Sequence, residues 1–299
     1  MLLSYSYAPA NWMKPELVIR ILTVGSLAGL LLTVGLRLTL AQVSESVRRC
    51  RFVWILLLNF LVVPVGCAVA AKCLRLDRDT TTALVLLGAA PFAPVVPVFA
   101  RMARADLALA AGLTSIYPVL SAVLTPWVCR LVLRQTTDSA GFQFGSVEVM
   151  LVLAATITLP LLAGIGLNQL APGLSHRWLR ALETASEALG ALSLVFVTVA
   201  EFGSIVAMTA NSALAVALVF ELSLAAGYCL GHTRGSRRVL ALGTSNRNIA
   251  LAILVALQAF PHTRVLAAVV GNGLLLIALG LAHVGYWRLR DSYQTTSAV

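Results

Sequence analysis

The residues most able to do chemistry form one short polar run, Gly243-Thr244-Ser245-Asn246-Arg247-Asn248, set inside an otherwise apolar stretch. Arginine is a permanent cation whose planar guanidinium grips carboxylate-like anions through paired N–H donors. Its hydroxyl and amide neighbours supply neutral donors and acceptors for a small polar solute or an ion. A second chemically unusual segment is Pro91-Phe92-Ala93-Pro94-Val95-Val96-Pro97, with three prolines. Each proline removes an amide donor and clashes with the preceding turn, so a helix breaks here rather than bends. Thr114 and Ser115 follow that break, and Asn59 lies in the middle of an earlier apolar run. Glu201 and Glu221 are the acidic residues inside apolar runs. Arg247 therefore has two readings: a ligand for an anion, or half of an ion pair with one of those glutamates. The candidates for solute binding are Thr114, Ser115, Asn246, Arg247 and Asn248. Those for an ion are Asn59, Thr244, Ser245, Glu201 and Glu221. A hydroxyl in an apolar helix has the competing option of bonding its own backbone.

The elements that must position these residues are membrane helices. Hydrophobic residues make up 59% of the 299 and charged ones only 11%, against about 25% charged in soluble domains; the mean hydropathy is +0.90. The apolar stretches do not alternate as barrel strands would, and each is long enough to cross a bilayer core as a helix. Nine spans are expected, at about 17–40, 52–73, 79–101, 106–133, 147–169, 182–208, 212–231, 236–260 and 264–287. They form a single membrane domain with polar tails at 1–16 and 289–299. The first run is too long for a cleaved leader and lacks a small-residue cleavage site. The net charge of +10 sits between spans, which speaks for topology rather than nucleic acid. Most of the arginines, including Arg37, Arg101, Arg104, Arg234 and Arg237, fall on one side, giving an outer N-terminus and a cytoplasmic C-terminus. The five cysteines are scattered with no Cys/His cluster, so neither a metal site nor a disulfide framework is expected. No Walker A, GxSxG, HExxH or GxGxxG pattern occurs, which leaves an enzyme or ATP-driven pump without support.

Interrupted spans in matching positions of two halves point to a transporter site. Spans three and eight are the interrupted ones. Pairing them pairs span one with span six, five crossings away, which makes the repeats inverted. The first repeat then covers about 17–134 and lacks its opening helix; the second covers about 147–287. At each break one half-helix offers free N–H groups to anions and the other offers free carbonyls to cations.

Several segments resemble the bile acid:sodium symporter family. Thr33-Val34-Gly35-Leu36-Arg37-Leu38-Thr39-Leu40 is similar to its MGLxL signature, and Asn59-Phe60-Leu61-Val62-Val63-Pro64 to its QFxxMP segment. Gly88-Ala89-Ala90-Pro91, followed by Ala103-Arg104-Ala105-Asp106-Leu107-Ala108-Leu109, resembles GCCPGG…LARGDVALS. Leu159-Pro160-Leu161-Leu162-Ala163-Gly164 fits LPxxxG, and the run from Gly243 to Ala250 resembles a bacterial GTGQRNIA variant. The resemblance spans about residues 25–280. It implies two inverted repeats, panel and core domains, two crossed broken helices, the nine-span form, and transport of organic anions driven by sodium. It also exposes departures. Val96 and Pro97 stand where the family has Ser-Asn, Ala110 replaces a serine, and Ala241 stands where the sodium-coupled carriers place a glutamate. Thr114 survives from that ion site, and Asn59 replaces a glutamine. The expectation is a secondary transporter of a small organic anion in a bacterial plasma membrane, using alternating access. It needs no cofactor and no protein partner, and its coupling ion is one sodium, a proton or none. The competing expectation is a non-transporting receptor or paralogue that keeps the fold.

Overall fold

The computed structural model describes residues 15–37, 40–48, 50–136, 144–206, 208–261 and 263–296. The tail before residue 15, Lys14, Leu38, Thr39 and Arg49 lie outside the described residues. Every regular element among those described is helical. In chain order they are α1 (Pro15–Arg37), α2 (Leu40–Arg48), α3 (Phe52–Leu57), α4 (Val63–Cys73), α5 (Arg78–Gly88), α6 (Val96–Met102), α7 (Leu107–Thr136) and α8 (Ser146–Leu153). There follow α9 (Leu159–Leu170), α10 (Pro172–Ala200), α11 (Phe202–Val206), α12 (Ala210–Leu230), α13 (Arg234–Ser245), α14 (Ile249–Ala259) and α15 (Val265–Thr296).

Among the described residues, 8 helical runs are long and apolar enough to cross a membrane. These are α1, α3 with α4, α7, α8 with α9, α10, α12, α13 with α14, and α15. The protein is an integral membrane protein. The expected third span is not one of the eight. It is α5 and α6, of 11 and 7 residues, about 16 and 10 Å long at 1.5 Å per residue, and neither alone crosses a core of about 30 Å. The expected sixth span starts at Pro172, well before residue 182, because proline is tolerated in a first turn, and it ends at Ala200. The last helix runs through Thr296, past the expected start of the polar tail.

Two helices contain a wide turn. Leu58–Val62 and Ala154–Thr158 are π-helical, with Val63 N–H donating to Leu58 O and Leu159 N–H to Ala154 O. Pro64 and Pro160 follow at once. Proline cannot donate to the carbonyl four residues back and crowds it, and the inserted residue of a π turn relieves both problems. The first of these turns carries Asn59.

The interior is built around the interruptions. Residues 81–93 and 238–248 are all buried. α1 packs along α9 and α10, with Gly35 and Gly164 letting the α1 and α9 backbones touch: a Cβ on either would strike a carbonyl of the other helix. α5 is held by α4 and α15, and α12 lies along α13. Buried Arg238 anchors α13, donating to Ala103 O at 2.6 Å and to Asp291 at 2.7 and 2.8 Å.

A candidate transport site where two broken helices cross

The two interruptions meet and bond through their backbones. Asn248 N–H donates to Ala90 O at 2.7 Å, Phe92 N–H to Gly243 O at 3.2 Å, and Ala93 N–H to Asn246 O at 3.4 Å. Each break therefore satisfies amides that the other's missing helix turns leave free. Phe92 takes a left-handed conformation with φ of 53°, rare and costly for a bulky residue. Its ring stacks on Tyr117 with centroids 4.1 Å apart. A Cβ on Gly243 would fall on the Phe92 ring, so glycine is what permits the approach. Thr125 Oγ1 donates to Ala89 O at 2.6 Å, tying the first break to α7. On the second break the Asn248 side chain caps α14, accepting from Leu251 N–H at 3.1 Å.

Arg247 lies at the centre, 4% exposed. Its Nη1 donates to Asn59 Oδ1 and to Gly88 O, each at 3.2 Å. Gly88 closes α5, so its carbonyl belongs to the negative end of a helix. Asn59 is held in turn: its Nδ2 donates to Ile55 O at 2.9 Å and to Thr244 Oγ1 at 3.3 Å. Nη2 of Arg247 is buried without a hydrogen-bond partner, as are Thr114 Oγ1, Tyr117 Oη and Ser121 Oγ.

A cavity of about 180 Å³ lies between the crossing and the α1–α10 layer. It is lined by Thr23 and Ser26 of α1, Ser193 of α10, Pro94 of the first break, and Asn246, Arg247 and Asn248 of the second. The start of α14 faces it through Ile249 and Ala250, which sets a helix N-terminus beside the guanidinium. A larger chamber of about 470 Å³ shares Leu30 and Pro94 with this cavity and reaches Arg37, Arg101 and Glu183. A third chamber, about 380 Å³, lies at the opposite end around Asp77, Asp79 and Arg264. It shares no lining residue with the central cavity.

Of the residues singled out in the sequence, Asn246, Arg247 and Asn248 line the central cavity and Thr114 lines the larger chamber. Asn59 and Thr244 join Arg247 in one hydrogen-bonded cluster. Ser115 and Ser245 turn back onto their own helices, donating to Gly112 O at 2.6 Å and Ala241 O at 2.9 Å. The glutamates lie elsewhere. Glu221 faces outward from α12 and is bonded to His283 at 2.9 Å, and Glu201 ends α10. Of the two readings of Arg247, the ion pair with a glutamate is therefore not formed, because its acceptors are an amide and a backbone carbonyl. Sequence reasoning missed Thr23, Ser26 and Ser193, although the i, i+3 spacing of Thr23 and Ser26 marks one face of α1. The Gly88 carbonyl has no side-chain signal at all.

The sequence model described as the Sodium Bile acid symporter family matches residues 24–225. The chain is 24% identical over 289 residues to the "Probable sodium/metabolite cotransporter BASS1, chloroplastic" of Arabidopsis thaliana, covering 93% of this chain and 68% of that protein. It is 24% identical over 301 residues to the "Probable sodium/metabolite cotransporter BASS2, chloroplastic" of Oryza sativa subsp. japonica, covering 96% and 67%. A match across most of the chain, on a membrane-helical fold whose interruptions cross at a buried cation, makes this a transporter and not an enzyme: it belongs to the sodium bile acid symporter family.

Proposed function

We propose that the protein is a secondary transporter that moves a small organic anion by alternating access. Its two halves, about residues 17–134 and 147–287, would act as inverted repeats in a nine-crossing arrangement, α5 and α6 together making one crossing. The α1–α9–α10 layer would rock against the bundle that holds the breaks, in a bacterial plasma membrane with the N-terminus outside. The observation that carries this reading is Arg247. A cation in a bilayer interior costs about 3 kcal/mol, yet this one is bonded to neutral oxygens only, keeps a guanidinium nitrogen unbonded, and lines the central cavity. An anion there would answer both the charge and the free donor, aided by the α14 N-terminus. Asn246 and Asn248 would add polar contacts, and Thr114 would line the way in.

The test is uptake of labelled cholate, succinate and lactate by proteoliposomes, alongside an Arg247→Ala variant that still elutes as a folded monodisperse species. Losing a charge-assisted contact of about 1.5–3 kcal/mol predicts at least about a tenfold fall in saturable uptake. Unchanged uptake in the variant would remove Arg247 from the site. Binding of the anions without flux would instead favour a receptor that keeps the fold.

A further inference from the structure

The family's name implies sodium as co-transported cargo, and the residues at this crossing do not fit it. A hard cation is held by several oxygens converging on one point. The two oxygens that converge here, Asn59 Oδ1 and Gly88 O, are both directed at Arg247 Nη1, each at 3.2 Å. Thr244 Oγ1 is engaged by the same asparagine. Val96 and Ala241, fully buried beside the breaks, bring no side-chain oxygen. The space left between Gly88, Ser245 and Arg247 is about 10 Å³, room for one water at most, and it adjoins a group that repels cations.

We propose that the Arg247 guanidinium takes the place of a coupling sodium ion, as a cation tethered to the chain, so that the anion is carried without sodium. The inference rests on reading the crossing as the transport site. The helix-end carbonyl of α5 and the Asn59–Thr244 pair form a negative-ended cradle whose burial calls for a donor or a cation. A bound ion neutralises it only when present. The arginine does so permanently, and its second nitrogen keeps no hydrogen-bond partner of its own.

The first measurement uses full-length protein in detergent. Labelled sodium binding and the melting temperature are compared in sodium chloride and choline chloride at equal ionic strength. The wild type should bind no sodium saturably and should melt at the same temperature in both salts; saturable sodium binding or a sodium-specific rise in melting temperature would overturn the proposal. Arg247→Ala should melt lower in choline and recover in millimolar methylguanidinium or in sodium, whereas a folded variant that responds to neither cation would also overturn it. If Arg247→Ala does not fold, Arg247→Lys decides together with the wild type: it should melt independently of sodium. In proteoliposomes, probe uptake should persist when choline replaces sodium. Uptake that stops without sodium sinks the tethered cation but leaves the transport function standing. No uptake of any probe removes that function, while the binding result still decides the cation question.

Discussion

At the scale of single residues, the crossing is governed by which polar atoms have partners. A sodium ion about 4 Å from the Arg247 guanidinium would face about 4 kcal/mol of repulsion at an effective dielectric of 20, so the arginine and an adjacent ion exclude one another. Asn59 is the residue that orients Arg247, since its amide bonds Nη1 and Thr244 at once. Asn59→Leu should destabilise the protein by about 1–3 kcal/mol, because it leaves a buried charge short of an acceptor, and a lowered melting temperature would show it. An unchanged melting point would mean that Arg247 does not depend on that bond. Tyr117 gives the opposite expectation. Its hydroxyl is buried without a partner, while its ring stacks on Phe92 at 4.1 Å and on Phe60 at 5.9 Å. Tyr117→Phe keeps the stack and deletes an unpaired group, so the melting temperature should hold or rise. A fall would show that the hydroxyl has a partner, such as the neighbouring Asn59 side chain.

At the scale of elements, the two breaks support each other. Gly243→Ala should cost about 1–3 kcal/mol by overpacking, because its methyl group would land on the Phe92 ring. The loss should appear as a lower melting temperature together with weaker anion uptake, whereas Gly285→Ala, which meets nothing within 4 Å, should alter neither. The breaks were legible in the sequence because prolines and a polar run inside apolar stretches have no other stable outcome in a membrane. Other features were not. Helix α2 (Leu40–Arg48) and the start of α10 (Pro172–Ala200) are amphipathic rather than apolar, so hydropathy reads them as connections. The π turns before Pro64 and Pro160 depend on how a helix relieves one missing donor, which composition does not specify. The acceptors of Arg247 were out of reach for a similar reason. One is a backbone carbonyl, and charge alone made the glutamates the natural guess.

At the scale of the whole molecule, the chambers on the two sides of the crossing adjoin the central cavity differently. The central cavity shares Leu30 and Pro94 with the chamber that reaches Arg37 and Arg101, and shares no lining residue with the chamber around Asp79 and Arg264. Between the cavity and the second end, Arg20 of α1 donates to Gln258 of α14 at 2.8 Å. That bond joins the α1–α9–α10 layer to the bundle holding the breaks, on the side of the chamber that shares no lining with the cavity. If the protein alternates as proposed, this contact belongs to one of its two states only, and removing it should shift the balance toward the other. An exposed bond of this kind is worth about 0.5–1.5 kcal/mol, which corresponds to about a two- to tenfold change in the ratio of states. Gln258→Leu should therefore slow maleimide labelling of a Val98→Cys reporter, by at most that factor because labelling follows the fraction of the open state, in a background without the natural cysteines. Val98 lines the open chamber and is 46% exposed. Labelling at an unchanged rate would mean that the Arg20–Gln258 contact does not bias the two states.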